Sequence, residues 1–298
     1  MTFEHEGVSF LTPFLLKNQK MRNYFQCGRY GFDLTECLPL VMGILNITPD
    51  SFSDGGKFLN LNAALDQAEK MIEDGADIID IGGESSRPGA KPVSEQEELD
   101  RIMPVIYALK EYGRAISVDT WKPNIMREAL IAGVDMINDI NAFTTEGAID
   151  TVRDSECALC VMHKKGDSET MQKKPRYKDV VKEVSDYLKE RATELINEGI
   201  DVQRICLDPG FGFGKTLEHN LKLFKNIGNI CEDLGLPVLV GVSRKNMIGD
   251  LTGKPVNERA AGSVAAALLA VSKGAKIVRV HDVAQTVDAL KIWHAIQN

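Results

Sequence analysis

Three neighbouring stretches of the sequence decide the fold: LVMGIL at residues 40–45, AALDQAEKMIED at residues 63–74 and DIIDI at residues 77–81. The first and third stretches have the length and apolar content of buried strands. The second has its apolar side chains at the spacing of one helical face. A strand, a helix and another strand in this order are typical of two parallel strands joined by a crossover helix.

The same alternation of strand and helix continues to the end of the chain. Further strands are predicted at residues 115–118, 135–137, 157–162, 204–207, 237–240 and 276–280, each followed by a helical segment. One of these helices is predicted near residues 217–234. Eight strand–helix units favour an α/β fold closed into a (β/α)8 TIM barrel, and an open doubly wound sheet is the alternative.

The first part of the chain does not follow this rhythm. We therefore predict a short N-terminal extension at residues 1–37, which forms a strand pair or an arm, and a barrel domain at residues 38–298. A barrel of this kind commonly needs about 250 residues, which matches the length of the second region.

The bulk composition narrows the class of protein. The 298 residues are 44% hydrophobic and 26% charged, as in ordinary globular proteins. A formal net charge of -8 argues against a general nucleic-acid binder and against binding to anionic membranes. The sequence has no apolar run of membrane-spanning length and no secretion signal at its N-terminus. The six cysteines are scattered, which favours the cytoplasm as the location.

A CxxC motif suggests a metal or redox site. Cys157 and Cys160 form the motif, and His163 follows three residues later. On a strand, an offset of three residues puts the two thiols on opposite faces. We therefore interpret the segment as a buried strand.

A glycine-rich run, GFGFGKT at residues 210–216, suggests a nucleotide phosphate-binding loop. That loop has four residues between its glycines, whereas three residues separate Gly210 from Gly214. The spacing argues against a nucleoside triphosphate site.

Polar side chains follow nearly every predicted strand. In a (β/α)8 barrel the C-terminal strand ends form one face, where the active site lies. In chain order they are Asn46, Glu84, Asp119, Asn138, Asp139, His163, Asp208, Ser243, Arg244, Lys245, Arg279 and His281. Together they indicate a site.

The residue types in this ring suggest two kinds of ligand group. Asp119, Asn138 and Asp208 suit a flat heterocycle with several ring nitrogens and N–H groups. Cationic side chains and an amide suit an oxygen-rich anion such as diphosphate. The members of this second set are Arg87, Arg279, His281 and Asn46.

Several runs of the sequence resemble the signatures of the dihydropteroate synthase family. MGILNITPDSFSDGG at residues 42–56 resembles the first signature, and DIGGESSRPG at residues 80–89 resembles the second. Shorter matches follow in family order: SVDT at 117–120, IND at 137–139, LDPG at 207–210, SRK at 243–245 and RVHD at 279–282. The resemblance covers about residues 38–298.

This resemblance implies a homodimeric barrel enzyme, a transferase of folate biosynthesis. In that reaction the amine of p-aminobenzoate attacks the methylene carbon of 6-hydroxymethyl-7,8-dihydropterin diphosphate. The products are 7,8-dihydropteroate and diphosphate. The resemblance also implies that sulfonamides, which mimic p-aminobenzoate, inhibit the enzyme.

Matching positions imply the site residues. The pterin is held by Asp119, Asn138, Asp208 and Lys245, and the diphosphate side is lined by Ser86, Arg87, Arg279 and His281. Asn46 binds Mg2+, and the p-aminobenzoate pocket is shaped by Phe52, Pro88, Phe213 and Asn246. Catalysis is expected from Lys245, Arg279, His281 and Asp119.

Two residues depart from the family pattern. Ser86 replaces a common threonine and keeps its hydroxyl group. Asn246 stands where the family commonly has serine, near the p-aminobenzoate carboxylate. An asparagine can still donate a hydrogen bond there, and the backbone N–H groups of a helix start can also bind an anion.

The residues suggest an SN1-like substitution, because anion-binding groups and acids are present without an obvious base for the amine. One alternative is a methyltetrahydrofolate-binding methyltransferase domain, which uses a related barrel but does not need Arg87 or the RVH run at 279–281. The other is a noncatalytic pterin-binding protein, which does not need the lysine, arginine and loop motifs.

Overall fold

The structure is a computed structural model that describes residues 23–35, 38–47, 57–84, 93–166, 171 and 175–297, with the backbone alone at 57–60. Ten strands and ten α-helices occur among these residues. The strands are β1 (Tyr24–Cys27), β2 (Tyr30–Asp33), β3 (Leu40–Asn46), β4 (Ile78–Gly82), β5 (Ala115–Asp119), β6 (Met136–Asp139), β7 (Ala158–Met162), β8 (Ile205–Asp208), β9 (Leu239–Val240) and β10 (Ile277–Val280). The helices are α1 (Lys57–Glu73), α2 (Glu95–Leu109), α3 (Pro123–Ala132), α4 (Ala148–Arg153), α5 (Val180–Asn197), α6 (Leu217–Lys225), α7 (Ile227–Leu234), α8 (Asn246–Thr252), α9 (Ala260–Ser272) and α10 (Val283–Gln297). None of the described helices is long and apolar enough to cross a membrane.

Strands β3 to β10 form a closed parallel barrel. Their order in the sheet is β8-β7-β6-β5-β4-β3-β10-β9, so the neighbours follow chain order around a ring. The two ends of this sheet meet, because Leu207 of β8 forms a parallel bridge with Val238. The backbone N–H of Leu207 donates to the carbonyl oxygen of Pro237 at 2.9 Å. The predicted (β/α)8 TIM barrel is confirmed, and the open doubly wound sheet is excluded.

Alternate residues of each barrel strand face the axis and the helices. On β4, for example, Ile78 belongs to the interior cluster, whereas Ile79 and Ile81 belong to the layer beneath the helices. Both faces of a strand are therefore buried, which explains the nearly continuous apolar runs in the sequence. The same alternation separates the CxxC thiols, since Cys157 lies in the outer layer and Cys160 in the interior. The structural interpretation of that motif is confirmed.

An antiparallel hairpin of β1 and β2 covers the N-terminal end of the barrel. Phe25, Cys27 and Leu34 are fully buried against the interior side chains of the barrel strands. Arg29 donates from Nε and Nη2 to the carboxylate of Asp135, both at 2.9 Å. The hairpin thus closes the end opposite the C-terminal strand ends. It lies within the predicted extension, whose boundary at residue 37 remains a prediction.

The single helix predicted over residues 217–234 is wrong. The chain forms α6 and α7 instead, with a break at Asn226. The side-chain amide of Asn226 donates to the carbonyl oxygen of Lys222 at 2.8 Å. Asparagine side chains compete for backbone groups in this way and so favour helix ends. Leu223, Ile227 and Ile230 nevertheless all face the core, which is why the spacing resembles one continuous helix.

Candidate active site

Arg279 of β10 lies between two carboxylates at the C-terminal end of the barrel. Its Nε donates to Asp80 Oδ2 at 2.6 Å, and its Nη2 donates to Asp119 Oδ2 at 2.8 Å. Asp80 Oδ2 also accepts from Asn138 Nδ2 at 3.2 Å. The other oxygen, Asp80 Oδ1, is buried without a hydrogen-bond partner among the described residues. Four strands therefore contribute to one polar network inside the barrel.

Burial sets the charge of this network. It raises the pKa of Asp119 to about 7, even though the charge of Arg279 acts in the opposite direction. Burial also acts to lower the pKa of Arg279, but the carboxylates of Asp80 and Asp119 raise it above its ordinary value. Arg279 therefore keeps its positive charge, whereas Asp119 can exchange a proton near neutral pH.

Lys245 and Asp208 lie on the other side of the barrel mouth. Lys245 Nζ donates to the carbonyl oxygen of Phe211 and lies 4.2 Å from the ring centroid of Phe213. Burial lowers the pKa of Lys245 to about 8, and the carboxylate of Asp208 opposes this shift. Asp208 is buried too, so its pKa is raised, and its Oδ1 accepts from the N–H of Gly210 at 2.7 Å.

His281 follows β10 and faces Ser243 after β9. The Oγ of Ser243 lies 3.0 Å from Nδ1 of His281 and accepts from the backbone N–H of His281 at 3.1 Å. The next residue, Arg244, turns away and donates from Nε to Asp282 at 3.1 Å. Ser243 and His281 thus belong to the edge of the site, whereas Arg244 anchors the backbone between Ser243 and Lys245.

Asn46 ends β3 beside the same network. It is paired in register with Gly82 of β4. A Cβ atom at Gly82 would lie 3.7 Å from Asn46 Oδ1 and 3.8 Å from Asp119 Cβ, so both side chains border this glycine. Among the described residues, no group of three or more His, Cys, Asp or Glu side chains could hold a metal ion. Asn46 offers one side-chain amide at the border of this network.

Three side chains of the predicted ring have structural contacts outside this network. Glu84 accepts from Lys122 at 2.5 Å, and Lys122 also donates to Glu98 at 2.7 Å. Asp139 accepts at 2.7 Å from the backbone N–H groups of residues 141 and 143. His163 contacts Lys215 at 2.9 Å. These groups support the loops that surround the site.

The remaining predicted residues divide into two groups. Phe213 lies beside Lys245, and Asn246 begins α8 next to it, with Oδ1 accepting from Arg259 at 3.5 Å. Ser86, Arg87, Phe52 and Pro88 lie outside the described residues.

Asp80 was not among the predicted site residues, although it is central to the network. The sequence contains a signal for it, because a strand with alternating faces puts Ile78, Asp80 and Gly82 on one side. A single acidic residue inside an apolar barrel strand points either into the barrel or towards the helices. Its carboxylate is buried in both cases and therefore needs a cation or hydrogen-bond donors.

Comparison with known proteins identifies the class. The family model described as "Pterin binding enzyme" matches residues 42–281, which is most of the chain. A dihydropteroate synthase from Haemophilus influenzae is 51% identical over 262 residues, covering 88% of this chain and 95% of the relative. The fold, the site and this match define a pterin-binding enzyme.

Solved structures agree at the level of the fold. A Xanthomonas albilineans dihydropteroate synthase with 4-aminobenzoic acid has a TM-score of 0.86 and 48% identity, covering 92% of this chain and 98% of that one. A Burkholderia cenocepacia dihydropteroate synthase with 7,8-dihydropteroate has a TM-score of 0.84 and 49% identity, covering 92% and 96%. A Yersinia pestis dihydropteroate synthase with a sulfonamide drug has a TM-score of 0.85 and 43% identity, covering 92% and 98%. The chain belongs to the dihydropteroate synthase family.

Proposed function

We propose that the protein is a transferase of folate biosynthesis, which joins p-aminobenzoate to 6-hydroxymethyl-7,8-dihydropterin diphosphate and forms 7,8-dihydropteroate and diphosphate. One observation carries the proposal: Arg279, whose side chain is only 18% exposed, is held by two carboxylates at the C-terminal end of a closed barrel. The same mouth contains a lysine and a third acid, Lys245 and Asp208. A site of this kind offers acceptors to a pterin and cations to a leaving diphosphate.

The pterin is proposed to bind in the barrel mouth. The buried Asn138 and Asp208 and the partly exposed Asp119 offer acceptors and a donor amide to a heterocycle whose edge alternates N–H groups and ring nitrogens. The ammonium of Lys245 is a donor for a pterin oxygen or ring nitrogen. Asn138 and Asp208 are already buried, so binding requires little further desolvation of these two groups, which supports an ordered site.

The diphosphate is proposed to face Arg279 and His281. The carboxylates of Asp80 and Asp119 keep the guanidinium of Arg279 charged and fixed in orientation, which suits it to oxygens that become more negative as a bond breaks. Ser86 and Arg87 are proposed to complete this side.

Mg2+ is the proposed metal, with Asn46 as the side chain that holds it. Mg2+ in phosphate sites commonly takes few protein oxygens and the remaining ligands from substrate phosphates and water. The single amide oxygen of Asn46 fits that pattern. When bound, the ion supplies positive charge that offsets the charge of diphosphate oxygens.

We propose an SN1-like order of bond changes. The bond between the methylene carbon and the diphosphate oxygen breaks, and its electron pair leaves with the diphosphate. The dihydropterin ring shares the resulting positive charge, which the acids Asp119 and Asp208 favour. The lone pair of the p-aminobenzoate nitrogen then forms the C–N bond, and that nitrogen loses a proton.

The p-aminobenzoate pocket is proposed to lie beside Phe213, with Phe52, Pro88 and Asn246 as further walls. The ring of Phe213 lies next to Lys245, so an aryl ring bound there would lie close to the pterin end of the site. Relatives bound to 4-aminobenzoic acid and to a sulfonamide drug support the presence of such a pocket in this family.

A homodimer and a cytoplasmic location complete the proposal. Leu269 of α9 is 54% exposed, and Ile292 and Ile296 of the adjoining α10 are 63% and 75% exposed. Large apolar side chains that are exposed on two adjoining helices support an interface there. The scattered cysteines support a reducing compartment.

An assay of diphosphate release tests the function. The purified protein is given the pterin diphosphate with and without p-aminobenzoate, and with and without Mg2+. We expect diphosphate and 7,8-dihydropteroate in equal amounts when all components are present. Arg279→Lys is expected to lower this rate at least about a hundredfold, because the two-carboxylate geometry is lost.

Arg29→Lys is the matched control, since Arg29 also pairs with an aspartate but lies at the opposite end of the barrel. Its rate should equal that of the unaltered protein.

Absence of turnover under every condition would reject the proposed enzymatic function. Pterin binding without turnover would favour a noncatalytic pterin-binding protein. For the order of bond changes, rapid-mixing kinetics should detect diphosphate before p-aminobenzoate adds, and its absence would contradict the SN1-like step.

A further inference from the structure

The glycine-rich run at residues 210–216 forms the loop between β8 and α6, which we call the glycine loop. Gly210, Gly212 and Gly214 all have positive φ, at 68°, 82° and 63°. A Cβ atom at Gly210 would lie 1.9 Å from the carbonyl oxygen of His163, and one at Gly214 would lie 2.2 Å from that of Lys165. These glycines therefore allow a backbone path that other residues could not follow.

This path turns carbonyl groups towards a buried lysine. Lys215 is 3% exposed, and its Nζ donates to the carbonyl oxygens of Gly210 at 2.8 Å and Phe213 at 3.1 Å. The same nitrogen lies 2.9 Å from Nδ1 of His163 and 3.3 Å from the carbonyl oxygen of His163. The amino group of Lys215 thus has four uncharged hydrogen-bonding partners, two of them within the glycine loop. Burial lowers the pKa of Lys215 well below its ordinary value.

His163 is an uncharged hydrogen-bond partner of Lys215. It is buried, with its ring in edge contact with Tyr187 at a centroid distance of 5.1 Å. Burial, and secondarily the charge of Lys215, lower the pKa of His163 to about 2. The neutral ring can therefore share a hydrogen bond with Lys215 through Nδ1 without bringing a second positive charge next to it. The backbone N–H of His163 also donates to the carbonyl oxygen of Asp208 at 2.9 Å, which ties the histidine to the end of β8.

The opposite side of the glycine loop faces the active site. The carbonyl oxygen of Phe211 accepts from Lys245, and the ring of Phe213 lies beside the same ammonium. A Cβ atom at Gly212 would lie 3.2 Å from Lys245 Cδ. The loop is therefore held between two lysines, Lys215 from behind and Lys245 in the site.

We propose that Lys215 is a positioning residue for the transfer reaction, with His163 as its uncharged hydrogen-bond partner. The amino group of Lys215 binds the carbonyl oxygens of Gly210 and Phe213, and this fixes the Phe211 carbonyl and the Phe213 ring that orient Lys245. The inference rests on the proposed role of Lys245 in binding the pterin. In this proposal the glycine loop, through Lys215, holds Lys245 in the orientation that binds the substrate.

Lys215→Met tests this role, because methionine keeps the length and removes the donors. We expect the KM for the pterin diphosphate to rise at least about tenfold, since several hydrogen bonds of a buried amino group are lost. Lys225→Met on the exposed end of α6 is the matched control and should leave KM within about twofold of the unaltered protein. A purely structural role would lower kcat with the fraction of folded protein and leave KM unchanged, which would overturn the proposal.

A second pair of variants decides the matter if Lys215→Met does not fold. His163→Asn keeps an acceptor near the position of Nδ1, whereas His163→Phe keeps an aromatic ring without an acceptor. We expect the phenylalanine variant to raise KM and the asparagine variant to restore most of the loss. A His163→Phe protein with unaltered KM would reject the proposal.

Pterin affinity measured by fluorescence titration separates this inference from the proposed function. If the unaltered protein binds the pterin but releases no diphosphate, the proposed function fails. The comparison of affinities between Lys215→Met and Lys225→Met still tests the positioning role in that case, and equal affinities would reject it.

Discussion

At the scale of single residues, the site depends on ion pairs between Arg279 and two carboxylates inside the barrel. Arg279 is charged and fixed because Asp80 and Asp119 bind different nitrogens of its guanidinium. The positive charge of Arg279 in turn balances the negative charges of both carboxylates. Removing any one of the three side chains would therefore leave a charge without its partner. The residue scale is therefore where activity should be most sensitive.

Asp80→Asn is expected to lower kcat/KM by about 10- to 100-fold, since a charged hydrogen bond contributes about 1.5–3 kcal/mol. The substitution keeps the shape of the side chain but removes the charge that holds Arg279 Nε. Steady-state kinetics with both substrates measure the effect. Asp66→Asn, on the exposed face of α1, is the control and should leave kcat/KM unaltered. An Asp80→Asn protein with full activity would remove Asp80 from the positioning network.

The pH dependence should follow Asp119 and Lys245. The carboxyl of Asp119 ionises as pH rises through about 7, and the ammonium of Lys245 loses its charge as pH rises through about 8. If the ionised acid and the charged lysine are both required, kcat/KM for the pterin diphosphate rises near the first pH and falls above the second. A pH–rate profile measures this.

Lys245→Arg identifies the lysine in that profile. Arginine stays charged throughout, so the fall above pH 8 should disappear even where the absolute rate is lower. Lys254→Arg at the exposed end of the next loop should keep the fall. A fall that persists in the Lys245→Arg protein would assign the alkaline limb to another group.

Sulfonamides should compete with p-aminobenzoate at the proposed Phe213 pocket. A competitive inhibitor raises the KM for p-aminobenzoate and leaves kcat unchanged, which initial-rate assays resolve. Phe213→Ala should weaken both ligands together, because the aryl ring of each loses the same wall. Inhibition that is noncompetitive with p-aminobenzoate would contradict a shared pocket.

Among the elements, the β1–β2 hairpin and the glycine loop support opposite ends of the barrel. The hairpin inserts Phe25, Cys27 and Leu34 into the interior at the N-terminal end. Gly28 in its turn has a φ of 55°, and a Cβ atom there would lie 2.6 Å from Asp135 Cα. The hairpin thus packs closely against the N-terminal end of the barrel and lies away from the polar site at the C-terminal strand ends.

Phe25→Ala should therefore destabilise the protein without changing its chemistry. Removing a fully buried phenylalanine leaves a cavity and costs about 3–5 kcal/mol in the free energy of unfolding. Chemical denaturation measures the loss, and KM for both substrates should be unchanged below the transition. Phe32→Ala, on a half-buried side chain of the same hairpin, should cost clearly less. Equal losses for the two variants would contradict the packing role of Phe25.

At the scale of the whole molecule, the barrel places the site at one end and an apolar surface on its side. Leu269, Ile292 and Ile296 project from α9 and α10, which pack against one another. A second copy of the chain would cover this surface in the proposed homodimer. Exposed apolar side chains also occur elsewhere, so the surface is distinguished by having three of them on adjoining helices.

Replacing Leu269 and Ile292 together with aspartate should convert the proposed dimer to a monomer. Two like charges facing their symmetry mates and the loss of apolar contacts both disfavour association. Sedimentation equilibrium measures the mass. Ile131→Asp is the control, since Ile131 is 70% exposed on α3. A doubly substituted protein that sediments as the unaltered one does would place the interface elsewhere.

Much of the fold followed from the sequence because barrel strands are buried on both faces. All eight predicted barrel strands agree with the observed ones to within two residues at both ends, while the predicted helix over 217–234 missed the break at Asn226. The spacing of apolar residues along the sequence shows which face of a helix is buried. Because α6 and α7 bury the same face, that spacing continues across the break. A single hydrogen-bonding side chain interrupts the backbone without disturbing the spacing.

Local sequence alone determined that strands and helices alternate, that their ends carry acids, amides and cations, and that the runs resemble one family. Only the tertiary structure decided which of these groups meet. It joined Asp80 to Arg279 across 199 positions of sequence and Lys215 to His163 across 52, and it turned Glu84 and Arg244 towards structural partners. The physical reason is that closing a barrel brings distant strand ends to one mouth, and side-chain pairing there depends on register and burial rather than on spacing along the chain.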